Sequence, residues 1–523
     1  MPANFRLYAF CASLLPALAC CAVGPHFHKP QAPKDAGYTT TPLAESTSST
    51  KVAGGESQRL VMGQDVAYQW WYAFGSPAIN SLVEKAFRAN PSITAAQAAL
   101  RQAQEMVYAQ QGFFFPTISA DYNFERQKLA GNQSGSAAPG VQGNGTSITA
   151  VQNPAPGAIH NVPLYFNFHT ATVTVGFVPD VFGGNGRKVE SLDAQAQMQR
   201  FELEATYLSL ASNVVAAAIQ EALTRAQIGA IQEIIDYNEK SVAILRNKFE
   251  LGYAMRIDLA AQEQQLAQAK ALLPPLQNQF EQTRDLLRTL VGSLPNQELA
   301  ETFELASLTL PTELPVSLPS KLIEQRPDIR AAEEQLRSAN AQVGVAIAAM
   351  LPQFTITGTA GGTATEFSQL FGEGGPFWTL IGDAMQPLFA GGTLLHTKRA
   401  ADQALLQAAA QYQKTVLTAY QNVADTLHAL VADANALAAD VESEKAAKVT
   451  LDLTHQRMQS GYADALTEIA AAMAYQQAVL SRVQAQATRF GDTAALYQAL
   501  GGGWWNRTAA LTPAGGAGAI GKK

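Results

Sequence analysis

The chain carries one series of motifs twice, and this duplication restricts the fold more than any other feature of the sequence. In both halves a helical stretch starts at an X-Pro pair and ends at a second proline 25 residues later. A turn with paired glycines then precedes a long helical run that ends at Gly-Tyr-Ala. The pattern indicates two copies of one unit of about 200 residues. The matched segments are 90–93 with 326–329, 115–118 with 351–354, 178–184 with 386–392, and 252–254 with 461–463.

The two long runs, from Gly186 to about Leu251 and from Thr393 to about Ser460, contain no proline. At 1.5 Å per residue, a helix of about 65 residues is roughly 100 Å long. Small and apolar residues recur in alternating steps of four and three, which is the period of helices wound around neighbours. The runs therefore predict coiled-coil hairpins. The periodic residues are Phe201, Ala205, Leu208, Ser212, Val215, Ile219, Ala222 and Ala226, and then Leu405, Ala409, Tyr412, Val416, Ala419, Val423, Thr426 and Leu430.

Three segments alternate polar and apolar residues, and a fourth, from Phe377 to Met385, alternates less cleanly. They predict strands at about 117–129, 168–181, 352–363 and 376–388. Their length also fits a bilayer crossing, although an ordinary antiparallel sheet over a core has the same pattern. Four strands cannot close a barrel, and lipid does not tolerate open sheet edges. If these strands cross a membrane, several chains must contribute them to one barrel. Three chains would give twelve strands around a polar lumen.

The N-terminus predicts export and lipid attachment. Residues 1–20 have one basic residue, Arg6, before a mostly apolar stretch, which is typical of a secretory signal peptide. Residues 18–21 resemble a bacterial lipobox, and Cys21 fits as the acylated residue because a leucine then lies three positions before the thiol. The alternative is an ordinary signal peptide with incidental cysteines. No cysteine follows Cys21, so no intrachain disulfide is expected in the mature chain.

Composition and motifs argue against nucleic-acid binding and against catalysis. The chain has 36 Lys and Arg against 43 Asp and Glu, a net charge of -7, which provides no basic surface for a phosphate backbone. No His-x-x-x-His pair or serine-nucleophile motif is present, and residues 182–188 lack the spacing of a phosphate-binding loop. We therefore predict no enzyme activity, no metal site and no cofactor besides the covalent diacylglyceryl and N-acyl lipid at Cys21.

A segment rich in Gly, Ser, Asn and Pro at 130–163 predicts a long loop between the first two strands. The remaining boundaries follow from the motifs. They are a signal peptide at 1–20, an N-terminal linker and equatorial segment at 21–76, the first repeat at 77–310, the second repeat at 311–503, and a flexible tail at 504–523.

In the order and spacing of these motifs, the chain resembles the outer membrane efflux proteins, and in particular the NodT-type lipoproteins that serve RND pumps. The resemblance covers about residues 21 to 503. It implies a mainly α fold with a membrane β-barrel: a homotrimer with a twelve-stranded outer-membrane barrel and a periplasmic α-helical tunnel. The motifs that carry it are Cys21-Ala22-Val23-Gly24-Pro25, Gln69-Trp70-Trp71 with Phe74, the paired Asn-Pro and Arg-Pro-Asp-Ile helix starts, Pro387-Leu388-Phe389 with Gly391-Gly392, and the two Gly-Tyr turns.

The same resemblance implies a function and its partners. Such trimers are lipid-anchored in the outer membrane, with the helical part in the periplasm. They dock on a periplasmic adaptor (membrane fusion) protein and an inner-membrane RND-type pump. They export drugs, metals or solvents by conduction and not by catalysis. The competing functions are the outer-membrane channel of a type I protein secretion system, a structural coiled-coil lipoprotein without a conduit, and a periplasmic adaptor.

The resemblance further implies a tunnel that is closed at its periplasmic end by helix hairpins and acidic rings. Rings of carboxylates around a threefold axis would attract cations and resist anions. Many relatives have an aspartate where this chain has Ala470, and each of the nearby carboxylates could instead lie on a solvated helix face. The implied hairpin tips, which would dock the adaptor, are Gly252, Tyr253, Gly461 and Tyr462, and the implied aperture carboxylates are Asp258, Asp464 and Glu468.

Overall fold

The computed structural model describes residues 22–31, 37–42, 44–129, 164–460 and 462–507. Five predictions from the sequence fall outside these residues: the signal peptide, the lipid site at Cys21, the loop at 130–163, the tip glycine Gly461 and most of the tail. The chain divides into two compact units, which are described separately. Unit 1 comprises Met1–His28, Arg101–Ala196 and Glu334–Ala409, and unit 2 comprises Lys29–Leu100, Gln197–Glu333 and Ala410–Lys523.

Helices dominate the part of the chain that the structure describes. Among those residues, no helix combines the length and the apolar character needed to cross a membrane. The helices are α1 (Pro77–Ala89), α2 (Pro91–Gln111), α3 (Gly184–Glu250), α4 (Arg256–Leu290), α5 (Pro319–Gln325), α6 (Pro327–Ala348), α7 (Thr393–Gln459) and α8 (Ala465–Ala499). The strands are β1 (Arg59–Met62), β2 (Thr117–Leu129), β3 (Leu164–Phe177), β4 (Glu313–Val316), β5 (Gln353–Ala364) and β6 (Pro376–Met385).

The order of elements repeats, as the duplicated motifs predict. The series α1, α2, β2, β3, α3, α4 is matched by α5, α6, β5, β6, α7, α8. The paired long helices α3 and α7 have 67 residues each, and α4 and α8 have 35 each. At 1.5 Å per residue, 67 residues correspond to about 100 Å of helix. Most of the periodic residues listed above for these two helices are buried. Examples are Val215, Ala222, Val416, Ala419 and Val423.

Unit 1 contains an antiparallel four-stranded sheet in the order β2-β3-β5-β6. Its register aligns like side chains across β2, β3 and β5 and, at some positions, β6. One row runs through Ser119, Thr174, Thr359 and Thr379, and the hydroxyl oxygens of Thr174 and Thr359 lie 3.3 Å apart. The next row runs through Ile118, Val175, Gly358 and Leu380 on the opposite face. The strands β2, β3 and β5 therefore have one polar and one apolar face, as the period-two pattern predicts. On β6 the polar face also contains Phe377 and Ile381.

Two strands end earlier than the sequence predicts. Strand β3 is expected to reach residue 181 but ends at Phe177, because the side chain of Asp180 bonds to the start of the next helix. Its two carboxylate oxygens accept hydrogen bonds from the backbone N–H groups of Asn185 (2.9 Å) and Gly186 (2.7 Å) at the start of α3. This satisfies donors that a helix N-terminus leaves free. Strand β6 ends at Met385 and not at 388, just before Pro387, which has no N–H for a strand ladder.

Unit 2 is built on a large apolar core. Trp70 and Phe74, from the motif singled out above, are almost fully buried, and the ring of Trp70 stacks on Tyr497 with centroids 5.3 Å apart. Residues 504–507, assigned above to the flexible tail, are part of this unit. The indole N–H of Trp504 donates to the carbonyl of Gln325 (2.6 Å), which fixes the end of the described chain.

Candidate functional site

The turn between α3 and α4 has the geometry expected of a hairpin tip. Gly252 adopts φ +77°, a conformation that favours glycine, and no atom would meet a Cβ at this position. The backbone N–H of Tyr253 donates to the carbonyl of Lys248 (2.7 Å), which closes the helix end. The Tyr253 side chain is 82% exposed, and the neighbouring Leu251 and Met255 are also exposed. This tip therefore presents apolar and aromatic groups to solvent.

The turn between α7 and α8 repeats this geometry where it is described. The N–H of Tyr462 donates to the carbonyl of Arg457 (2.8 Å), with the same five-residue separation as in the first hairpin. The Tyr462 side chain is 79% exposed. The duplicated sequence thus builds two equivalent exposed tyrosines, one at each hairpin.

Two of the three predicted aperture carboxylates cap helices. Asp258 lies in the first turn of α4 and accepts a hydrogen bond from the N–H of Met255 (3.3 Å). Asp464 is the N-cap of α8 and accepts from the N–H (2.8 Å) and the hydroxyl of Thr467. The hydrogen bonds from Thr467 hold the pKa of Asp464 below its usual value, although the side chain is exposed. Both carboxylates therefore start helices at the hairpins and remain available to solvent or partners.

The third carboxylate, Glu468, is placed differently. It is 7% exposed, and its Oε1 accepts a hydrogen bond from the hydroxyl of Tyr237 on α3 (2.6 Å). The same oxygen lies 2.5 Å from Nδ1 of His455 on α7, and Gln459 contacts the other ring nitrogen of that histidine (2.7 Å). Burial, and then the hydrogen bond to Glu468, raise the pKa of Tyr237 well above its usual value. Glu468 therefore connects three helices within the protomer, through Tyr237 on α3 and His455 on α7.

The structure brings Asp464 and Glu468 to one helix turn but does not join them to Asp258. No hydrogen bond or ion pair links Asp258 to the other two among the described residues. Tyr237 and His455 were missed as site residues, because they lie 231 and 13 residues from Glu468 in the chain and no local motif marks them. Within the described ranges, no three or more His, Cys, Asp or Glu side chains are grouped as metal ligands would be.

The sheet of unit 1 is the second candidate site. Within the described residues, β2 pairs only with β3 and β6 pairs only with β5, so the sheet has two unpaired edges. Ile118, Trp378 and Leu380 on its apolar face are all exposed, with Trp378 at 77%. Soluble proteins rarely leave such edges and faces open. Across the part of the chain that the structure describes, the protomer therefore leaves the edges of this sheet unpaired and its apolar face uncovered.

The first described residues are fixed against unit 1 at the end of β3. The guanidinium of Arg187 on α3 is buried and donates to the carbonyls of Val23 (3.0 Å) and Gly24 (3.3 Å), while the N–H of Val23 donates to Phe182 (3.1 Å). A Cβ on Gly24 would lie 2.4 Å from the Cα of Gly344, so only glycine fits there. The glycine-rich turn at 182–188 therefore holds the N-terminal segment and is not a phosphate loop.

Comparison with known proteins gives concordant results. A profile of the outer membrane efflux protein family matches residues 82–293 and 318–502. The pyoverdine export outer membrane protein OpmQ of Pseudomonas putida is 26% identical over 468 residues, which cover 89% of this chain and 94% of that protein. The toluene efflux pump outer membrane protein TtgC of Pseudomonas putida is 27% identical over 499 residues, covering 93% of this chain and 94% of that protein.

Solved structures share the fold. The outer-membrane channel OprN matches with a TM-score of 0.78 and 23% identity, over 92% of this chain and 100% of that one. The open state of the MtrE outer membrane channel of Neisseria gonorrhoeae matches with a TM-score of 0.73 and 23% identity, over 92% of this chain and 98% of that one. The described topology is thus that of known outer-membrane channels.

The matched segments span well over half of the chain and fall within the two sequence repeats. The family resemblance inferred from the sequence motifs is confirmed, and this family comprises efflux proteins and is not an enzyme class. The chain belongs to the outer membrane efflux protein family.

Proposed function

We propose that three copies of this chain form the outer-membrane exit duct of a tripartite efflux pump. The observation that carries the proposal is the sheet β2-β3-β5-β6, which has one mainly polar face, one exposed apolar face and two unpaired edges. In a bilayer every backbone N–H and C=O must be paired, so the edges need strands from other copies. Three copies give twelve strands, an even number that closes around a lumen lined by the hydroxyls of Ser119, Thr174, Thr359 and Thr379.

The helical part of each protomer would contribute to a periplasmic tunnel. Six helices of 67 residues, two from each copy, supply the length for such a tunnel. The exposed tips at Tyr253 and Tyr462 are the proposed docking points for a periplasmic adaptor, which would link the duct to an inner-membrane pump of the RND type. The relatives named above serve pyoverdine export and toluene efflux, which supports small solutes as the cargo.

Lipid attachment at Cys21 would anchor the trimer in the outer membrane. The contacts of Arg187 with Val23 and Gly24 support this proposal, because they hold the segment that follows the cysteine beside the end of β3. The acyl chains would then enter the leaflet close to the barrel strands. Lipid is the only covalent group that the proposal requires, and solute movement needs no catalytic residue.

At the periplasmic end, Asp258 and Asp464 are the proposed aperture carboxylates, and Glu468 acts on the aperture only through Tyr237 and His455. Three copies of each aspartate would form negative rings that favour cations. Like charges brought together in this way repel each other and would favour a wider aperture. The hydrogen-bonded group around Glu468 would oppose that widening.

The first test is the mass of the detergent-extracted protein by light scattering corrected for bound detergent, followed by conductance in planar bilayers. The duct proposal expects three protomer masses and cation-selective conductance. A folded monomer would leave the two sheet edges without partners and would contradict the proposal. A trimer without conductance would instead favour a structural lipoprotein.

A further inference from the structure

Unit 2 contains a cavity of about 730 Å³ to which neither the duct proposal nor the hairpin tips assign a role. It lies among α3, α4, α7 and α8, with the 3-10 turn at Leu305–Ser307 and residues Val52 and Ala53 completing its wall. Ligand pockets for drug-sized molecules typically have volumes of about 300–1,000 Å³. The size of this cavity is therefore that of a small-molecule site.

Small residues form much of the wall that α3 contributes: Ala222, Ala226, Gly229 and Ala230. The wall from α8 contains Ala472 beside larger side chains, among them Tyr475 and Val479. Gly229 lies within a long helix, where glycine is less favourable than alanine. It is exposed, and a Cβ at this position would meet no atom within 4 Å, so the wall is open here. The helices thus leave the cavity open instead of closing it.

One polar side chain of the wall is buried and incompletely paired. Asn238 on α3 is 1% exposed; its Oδ1 accepts a hydrogen bond from Gln262 (2.9 Å), but its Nδ2 has no hydrogen-bond partner. Arg225 also lines the cavity, nearer the N-terminal end of α3. It likewise has a buried Nε–H without a hydrogen-bond partner. A buried donor without an acceptor destabilises the fold, because it has lost its hydrogen bonds to water and gained none in return. A ligand acceptor such as a carbonyl oxygen would remove that destabilisation.

The charges of the wall select against anions. Arg482 pairs with Glu444, and Arg225 pairs with Glu221 (2.6 Å), a carboxylate that it shares with Arg284 (3.3 Å). Both guanidinium groups of the wall therefore already have a carboxylate partner. The carboxylates of Glu233 and Glu304 are exposed and have no ion-pair partner within the described part of the chain. The remaining charge is therefore negative, and it favours a neutral or cationic molecule over an anionic one.

We propose that this cavity binds an amphipathic, drug-sized molecule that is neutral or cationic and carries a hydrogen-bond acceptor for Asn238. The apolar body of the molecule packs against the alanines of α3 and α8, and its acceptor takes the Nδ2–H of Asn238. A positive group, where present, lies near Glu233 and Glu304. The site is a property of the isolated protein and does not depend on conduction, so its test is independent of the duct proposal.

The test is fluorescence anisotropy with rhodamine 6G, a cation with an ester carbonyl, on the full-length protein transferred from detergent to amphipol. Fluorescein, an anion of similar size, is the comparison probe. We expect rhodamine 6G to bind in the micromolar range and fluorescein to bind at least tenfold more weakly. Gly229→Leu fills the cavity and should weaken rhodamine binding at least tenfold. Gly491→Leu is the matched control, because Gly491 is also helical and open but lies outside the cavity wall.

A second pair of variants tests the buried donor. Asn238→Leu should weaken rhodamine binding about five- to tenfold, which is the loss expected for one hydrogen bond. Gln262→Leu removes the partner of Asn238 Oδ1 but leaves Nδ2 in place, so it should leave binding within twofold of the wild-type value. No detectable rhodamine binding, equal effects of Gly229→Leu and Gly491→Leu, or unchanged binding in Asn238→Leu would each overturn the proposal.

Discussion

The hydroxyl of Tyr237 on α3 lies 2.6 Å from Oε1 of Glu468 on α8, and Nδ1 of His455 on α7 approaches the same oxygen to 2.5 Å. One buried carboxylate therefore connects three of the four long helices of unit 2. A hydrogen bond that involves a charged group contributes about 1.5–3 kcal/mol, and its loss leaves a buried polar group unpaired. In the proposed trimer this connection would occur three times close to the hairpin tips.

The first prediction concerns this connection. Tyr237→Phe removes only the hydroxyl, so α3 loses its hydrogen bond to α8 while packing is kept. We expect the mean conductance of the trimer in planar bilayers to rise several-fold, because the helices near the tips separate more easily. Glu442→Gln is a suitable control, since Glu442 is exposed on α7 and has only a long contact with Lys445 (4.0 Å). Equal conductance in Tyr237→Phe and wild type would show that the hydrogen bond between Tyr237 and Glu468 does not help to keep the channel closed.

The second prediction concerns Asp464. The variant Asp464→Asn keeps a good N-cap side chain but removes the negative charge, whereas Asp464→Ala removes both. We expect both variants to lower the preference for cations over anions, measured as the reversal potential in a salt gradient. Only Asp464→Ala should also destabilise the start of α8, because it alone removes the N-cap hydrogen bonds. Because hydrogen bonds from Thr467 lower the pKa of Asp464, the wild-type preference should persist to a lower pH than an unshifted carboxylate would allow.

If the reversal potential is the same in wild type and in both variants, Asp464 acts only as a helix cap. In that case Asp258 is the remaining candidate for a carboxylate ring, and Asp258→Asn is the variant to measure next. A fall in cation preference in Asp464→Ala alone would point to distortion of α8 as its cause and not to the lost charge.

The sequence predicted the duplicated order of helices and strands because prolines, paired glycines and the two residue periods are local signals. It placed the end of β3 four residues too late, since the hydrogen bonds of Asp180 to the start of α3 outweigh the alternating pattern there. It could not predict the partners of Glu468, because Tyr237 is 231 residues away in the chain. The sequence also could not predict that Asn238 has an unpaired donor, because the burial and hydrogen bonding of this side chain depend on how four helices pack together.

The third prediction concerns the buried Arg187. Arg187→Lys keeps the charge but loses the planar guanidinium that donates to both Val23 and Gly24. The N-terminal segment should then detach from unit 1 more often, and a protease at low concentration should cleave it several-fold faster. Lys188→Arg, at the adjacent position, should leave the rate unchanged. Identical cleavage rates in all three proteins would mean that other contacts, such as Asn340 with Pro25 (3.0 Å), hold the segment.

The last prediction uses a carboxyl on α7. Burial, and then the neighbouring carboxylate of Asp492, raise the pKa of Asp433 to about 7, and its Oδ2 is buried without a hydrogen-bond partner. Asp433 therefore binds its proton more tightly in the folded than in the unfolded chain, where its pKa is near 3.9. Its contribution to stability is fully present below about pH 4 and is lost as the pH rises toward 7. Asp433→Asn does not titrate and escapes this loss.

We therefore expect the midpoint of thermal unfolding of Asp433→Asn to exceed that of the wild type by a few degrees at pH 8, measured at one fixed scan rate. The difference should shrink steadily between pH 7 and pH 4, because over that range the folded chain holds a proton on Asp433 that the unfolded chain does not, so the wild type gains stability as the pH falls. Asp440→Asn, seven residues further along α7, is the control for removal of one negative charge. A difference that stays constant with pH, or that is matched by Asp440→Asn, would show that the proton on Asp433 does not stabilise the fold.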